Sequence, residues 1–107
     1  MAQDTAQQAV KFLEQCLREA GLSDLQVVLF GSHALGMGTG ESDVDVAIIS
    51  SSFEGKDVFE RARLTRDAEM RAMERFALPF DIVTLTPQEY QSDSLMASFI
   101  KAAASDR

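Results

Sequence analysis

The sequence predicts an α/β protein of the two-layer, α+β kind: a small mixed three-stranded sheet in order 1-2-3 packed with about four helices. Three observations carry that expectation. First, residues 25–50 read LQVVLFGSHALGMGTGESDVDVAIIS, an apolar run ending at Gly31-Ser32, a glycine-rich loop, and a second apolar run entered through Ser42-Asp43-Val44-Asp45. That pattern is a strand, a turn and a second strand returning antiparallel beside the first. Second, Asp43 and Asp45 share a strand face with Ala47 and Ile49, and Asp81 shares one with Val83 and Leu85, so both later strands put acid first and apolar residues after. If the acids meet, these strands run parallel, which requires a crossover, and residues 57–77 supply it as a helix. Third, apolar residues recur at intervals of three and four before residue 21 and after residue 94, so helices flank the sheet segments.

Taken in order, Ala6, Ala9, Val10, Leu13, Cys16, Leu17 and Ala20 form the apolar stripe of a first helix over residues 5–20, opened by a Thr5-x-x-Gln8 capping pattern and stopped by Gly21. Cys16 lies on that stripe and reads as a small buried hydrophobe rather than a reactive thiol. Strand 1, residues 25–30, is apolar on both faces, with Val27 and Leu29 on one side and Val28 and Phe30 on the other, and should be covered on both. Residues 32–36 suit one helical turn whose amides point at an anion. His33, the only histidine, reads as an exposed or phosphate-facing side chain rather than a general base.

The crossover helix is expected to use Phe59, Ala62, Met70, Met73 and Phe76 as core contacts, with Arg66 interrupting the stripe. It carries Arg61, Arg63, Arg66, Arg71 and Arg75, and the pairs Asp57/Arg61 and Asp67/Arg71 fall four residues apart, the signature of a solvated charged face. Leu78-Pro79 breaks the helix and delivers strand 3. Thr86-Pro87-Gln88-Glu89 combines an N-cap, a proline at the first helical position and a capping-box glutamate, so another helix starts there. After Ser92, the residues Leu95, Met96, Phe99, Ile100 and Ala103 form a last stripe, core by default, with a partner-facing surface as the alternative for a segment so rich in Met and Phe.

The 107 residues suit one domain with one modest core. A formal net charge of -7 disfavours extended nucleic acid as a partner, because a phosphate backbone demands a basic surface. One cysteine permits no internal disulfide, and the polar start MAQDTAQQ reads as neither signal peptide nor membrane span, so a cytoplasmic protein is expected.

Side chains two apart on a strand project from the same side, which puts the Cα atoms of Asp43 and Asp45 about 6.5–7 Å apart. Two carboxylates that close repel, and a hard divalent cation, Mg²⁺ or Mn²⁺, relieves this with oxygen ligands. Gly31 lets the backbone approach a ligand, the Ser32 hydroxyl suits a phosphate oxygen, and Ser42 stands at the other end of the same loop. Phosphate at one end and metal at the other is the chemistry of a nucleoside triphosphate.

Gly31-Ser32, a ten-residue spacer, Asp43-Val44-Asp45 and a later strand acid in Phe80-Asp81-Ile82-Val83 together resemble the nucleotidyltransferase fold of the DNA polymerase β-like superfamily. The chain looks most like its minimal members, the MNT proteins, often paired with HEPN-family proteins as antitoxin and toxin. The resemblance implies that Asp43 and Asp45 hold two metal ions, that Asp81 completes the triad, and that Gly31-Ser32 grips the β- and γ-phosphates. Where the family often has basic residues in the loop, this chain has His33 and Leu35. The implied activity is Mg²⁺-dependent transfer of AMP from ATP to a protein acceptor, a HEPN-family partner, with a tyrosine hydroxyl as acceptor. Larger family members append an acceptor-holding domain that this sequence does not show. Either a homo-oligomer or a partner then completes the site, and the resemblance favours the partner. Two alternatives stand beside this: an antitoxin or nucleotide-binding module acting by binding alone, and a transferase acting on a small molecule.

Overall fold

The computed structural model describes residues 2–31, 33–34, 43–92 and 94–104. Its elements are α1 (Ala2–Glu19), β1 (Gln26–Phe30), β2 (Val44–Ile49), a 3-10 turn (Ser51–Phe53), α2 (Val58–Phe76), β3 (Phe80–Leu85), α3 (Pro87–Gln91) and α4 (Leu95–Ala103). The sheet is mixed, in order β1-β2-β3, with β1 antiparallel and β3 parallel to β2. The acid-first pattern of the two later strands is therefore realised: Asp45 and Asp81 are direct Cα partners across the parallel pair.

Two cores follow from the alternation of side chains along the strands. On one face Leu29, Val44, Val46, Ile48 and Phe80 pack with Leu13 and Leu17 of α1 and Ala68 and Ala72 of α2. On the other, Phe30, Ala47, Ile49 and Leu85 pack with Ile100 of α4. The acids lie on this second face. Strand β1 is covered on both sides, as its two-sided apolar pattern requires, and Cys16 is buried.

The caps explain where the helices end. Asp57 accepts a bond from the Glu60 amide while the Glu60 side chain accepts from the Asp57 amide, and Thr86 with Glu89 repeats this arrangement for α3. At the far end of α2, Ala77 takes a left-handed conformation at φ 53°, its amide donating to the Met73 carbonyl, and Pro79 leads into the next strand. The Val44 amide donates to the Pro79 carbonyl at 2.8 Å, which ties the beginnings of β2 and β3 together beside the acids.

Four expectations need correction. Helix α1 begins at Ala2, so Thr5 and Gln8 lie inside it; Ala2 and Gln3 are good helix formers and carry the helix past the capping pattern. In α2 the buried residues are Thr65, Ala68 and Ala72, with Phe76 half-buried, whereas Phe59, Ala62, Met70 and Met73 face outward. Small side chains admit the close approach of α1, which itself presents Ala6 and Ala9, and the Thr65 hydroxyl can be buried because it donates to the Ala62 carbonyl. The larger apolar residues of α2 fall on another arc of the helix.

The ion pairs also differ. Asp57 is spent on its cap, so Arg61 reaches instead to Glu89 at 2.9 Å and to the carbonyls of Lys56 and Thr84. Arg71 approaches Glu19 of α1 at 3.8 Å and lies over the Phe12 ring, as does Arg75. Lastly, α4 buries only Ala97 and Ile100 fully, while Leu95, Met96 and Phe99 are exposed. The apolar arc of this short helix is wider than the sheet can cover.

Candidate active site

Three elements converge at the end of the second face. Phe30, the last residue of β1, is the Cα partner of Asp45 on β2, and Asp45 is in turn the partner of Asp81 on β3. Asp43 lies just before β2 and is exposed. Burial pushes the Asp45 carboxyl above its ordinary value of 3.8; the negative charges of Asp81 and then Asp43 add to the rise, and His33 opposes it. Three carboxylates are thus within electrostatic reach of one another, yet among the described residues no three acids, histidines or cysteines are gathered into a closed metal-binding group. Oxygen-only donors whose charges repel suit a divalent cation held from one side, with its remaining ligands supplied by water and substrate.

Gly31 follows β1 with φ 80°, a conformation that a side chain resists. A Cβ built on it would overlap Oδ2 of Asp45 and stand 3.1 Å from its Cγ. Both the backbone conformation and the neighbouring acid therefore require glycine here. The Gly31 amide donates to the Ala103 carbonyl of α4 at 3.0 Å, so this donor is already engaged within the chain. Ser32 and Ser42, together with most of the proposed 32–36 turn, lie outside the described residues.

His33 is buried, 1% exposed, which overturns the exposed alternative of its expectation. It lies close enough to Asp45 to oppose the rise in that carboxyl's pKa.

A cavity of about 470 Å³ opens over the two strand acids. Asp45, Asp81 and Gly31 form its floor, Phe30 and Val83 continue the sheet side, and Leu95, Met96 and Phe99 of α4 make the opposing wall. Phe99 meets Phe30 edge-to-face with centroids 6.0 Å apart, which anchors the helix over the strand end. Sequence reading missed this wall; its signal was the excess width of the α4 apolar arc. A second cleft of about 390 Å³ runs along the open edge of β1 between Lys11 and Tyr90, and among the described residues no acid lines it.

Comparison with known proteins agrees with this geometry. Residues 10–102 match the nucleotidyltransferase domain family. A curated relative from Methanocaldococcus jannaschii, whose name proposes a protein adenylyltransferase, is 25% identical over 85 residues, covering 79% of this chain and 57% of that protein. The chain therefore spans little more than half of that relative's length.

Among solved structures, the fold is shared with a proposed minimal nucleotidyltransferase (20% identity, TM-score 0.60, covering 97% of this chain and 94% of that one). It is also shared with a toxin–antitoxin structure containing AMP-PNP (20% identity, TM-score 0.58, 86% and 67%). A third neighbour is a proposed nucleotidyltransferase from Sulfolobus solfataricus (22% identity, TM-score 0.54, 82% and 76%).

Proposed function

The chain belongs to the nucleotidyltransferase domain family, and from that premise we propose that it is a Mg²⁺-dependent protein adenylyltransferase, transferring AMP from ATP to a HEPN-family partner in the role of antitoxin. The observation that carries the reading is the pairing of Asp45 with Asp81 across adjacent parallel strands, beside a glycine that only this packing explains and beneath an open cavity. The name of the archaeal relative and the AMP-PNP of the toxin–antitoxin neighbour support the nucleotide and the protein acceptor. The domain is proposed to act as a single unit over residues 1–107.

Asp43, Asp45 and Asp81 would hold two Mg²⁺ ions, with Mn²⁺ as a substitute, which supply neutralisation of the triphosphate and a more acidic acceptor hydroxyl. The protein's own part is positional. Asp45, in the middle strand beside Asp81, would set the line of approach, and Asp81 would accept the hydroxyl proton. The acceptor oxygen bonds to the α-phosphorus as the α–β phosphoanhydride bond breaks. Pyrophosphate leaves with that bond's electron pair, and the product is a phosphodiester. Ser32 and Ser42 are proposed as phosphate contacts from the loop, with Gly31 giving the space.

A second reading, an antitoxin acting by binding without chemistry, draws on the Gly31 amide, which donates to the Ala103 carbonyl and so is engaged within the chain. Both readings are tested by co-expressing the chain with the product of its neighbouring gene and measuring that partner's intact mass. Added AMP units that vanish with Asp45→Asn are expected. An unmodified partner that is bound and inhibited equally by both forms would select the binding-only reading.

A further inference from the structure

The buried stripe of α2 is made of small residues and its exposed stripe of large ones. Thr65, Ala68 and Ala72 face the core, while Phe59 is 74% exposed, Met70 56% and Met73 37%. Phe59, Arg63, Arg66, Met70 and Met73 follow one another at intervals of four, three, four and three residues. A period of about 3.5 residues keeps all five on one straight seam, the spacing with which one helix faces another in a coiled coil. Arg63 and Arg66 stand exposed at the middle of that seam. Among the described residues neither has an ion-pair partner, although the chain carries 17 acids against 10 lysines and arginines, whereas Arg61 of the same helix is paired with Glu89. Phenylalanine, methionine and arginine are residue types that protein interfaces concentrate.

We propose that this seam docks a helix of a partner protein, apolar at both ends of the contact and carrying carboxylates at its centre, where Arg63 and Arg66 take them. The charges choose that occupant. A second copy of α2 lying antiparallel across a twofold axis sets Arg66 against Arg66, and a parallel copy sets each arginine against itself. Like charges so placed repel, which disfavours self-association through this face. Glu60, Asp67 and Glu74 each follow a seam residue and line one flank, which repels a phosphate backbone and calls for basic residues on the matching flank of the partner helix. A guanidinium fork accepts a carboxylate in few geometries, so the central pairs fix the register, while Phe59 at one end and Met70 and Met73 at the other supply apolar area. The seam belongs to the layer opposite the acids, because α2 packs on the face of Leu29 and Val46 and the cavity over Asp45 and Asp81 lies on the other. Docking on α2 is therefore independent of the transferase reading and leaves that cavity uncovered.

The test uses the full chain labelled with ¹³C at its methionine methyls and two synthetic helical peptides of about 18 residues, long enough to span residues 59–73 at about 1.5 Å per residue. Both carry leucine at the outer seam positions and lysine along one flank; one has glutamate at the two central seam positions and the other has lysine there. The glutamate peptide is expected to bind, to shift the Met70 and Met73 resonances, and to leave that of Met96, exposed on α4, in place. Arg66→Glu, a change at an exposed position, should weaken the glutamate peptide by about tenfold or more and reverse the preference toward the lysine peptide, with Mg²⁺–AMP-PNP affinity unchanged. Equal binding of the two peptides by the native chain overturns the proposal, as does a glutamate peptide that fails to bind or that moves Met96 alone. Shifts of Met70 and Met73 that grow with protein concentration alone would give the seam to a second copy, and shifts produced by a single-stranded oligonucleotide but not by the glutamate peptide would give it to nucleic acid; either result overturns the proposal. Calorimetry with Mg²⁺–AMP-PNP on the native chain runs beside the titrations. An absence of nucleotide binding there counts against the transferase reading, whereas the peptide preference alone decides the docking face.

Discussion

At the scale of single residues, Asp45 and Gly31 define each other. Asp45 is partly buried and faces two further acids, so its ionised form is disfavoured in the folded chain relative to the unfolded one. A carboxyl whose folded pKa is raised binds its proton more tightly when folded. Its ionisation therefore costs stability progressively as pH rises from its ordinary value through the raised one, and the cost is complete above that. In metal-free protein, Asp45→Asn should accordingly raise the melting temperature at pH 7, with the difference closing as the pH falls below about 4. Transfer should be lost in the same variant. A marked loss of stability at pH 7, read by thermal melts without metal, would contradict the acid cluster.

Gly31→Ala should behave oppositely, destabilising by about 1–3 kcal/mol, because φ 80° is strained for alanine and the new methyl meets the Asp45 carboxylate. In the double variant with Asp45→Ala, the overlap with the carboxylate should go, leaving the strain term and a tight contact with the remaining Cβ of residue 45, a change that chemical denaturation can read.

At the scale of elements, β1, β2, β3, the end of α2 and the start of α3 were legible because each is announced locally: a two-sided apolar run, the acid-first alternation, Leu78-Pro79 as a break and Thr86 as a cap, whereas Asp57, read as an ion-pair partner of Arg61, is the cap of α2. The acid positions even gave the relative direction of the strands. The buried face of α2 was not legible, since its stripe of Thr65, Ala68 and Ala72 is small and partly polar while the conspicuous residues point to solvent. Hydrophobicity counts large side chains, whereas two helices packing closely select small ones. Phe59→Ser and Met70→Ser are therefore expected to change stability by less than about 0.5 kcal/mol, and Ala72→Leu to cost about 1–3 kcal/mol by overpacking.

Arg61 is the tertiary tie of the same helix, its guanidinium bonding Glu89, Thr84 and Lys56. Arg61→Ala should cost about 1–3 kcal/mol. The Arg61 hydrogen bond holds Glu89 below its ordinary value of 4.5. The stabilisation from that pair is thus present above the ordinary carboxylate value and lost as pH falls through the lowered one. Denaturation of Glu89→Gln and the native chain should converge in acid.

At the scale of the whole molecule, the second core does two things at once: it holds α4 on the sheet through Ile100 and it places the exposed half of α4 over the acids. That juxtaposition joins residues fifty positions apart and depends on which arc of α4 meets the sheet, so periodicity alone could not assign it. The same architecture concentrates negative charge at one end of a chain whose net charge is already -7. Two effects of added Mg²⁺ then have to be told apart. Diffuse screening relaxes the general self-repulsion and is produced by any salt of equal ionic strength. A cation held by the carboxylates stabilises by mass action instead, by about 1.4 kcal/mol when its concentration is ten times its dissociation constant. Melting the protein in MgCl₂ and in NaCl of matched ionic strength separates the two. An excess rise of several degrees is expected in MgCl₂ for the native chain and not for Asp45→Asn or Asp81→Asn. Identical melts in the two salts would mean that the acids are a strand-end cluster that no cation occupies.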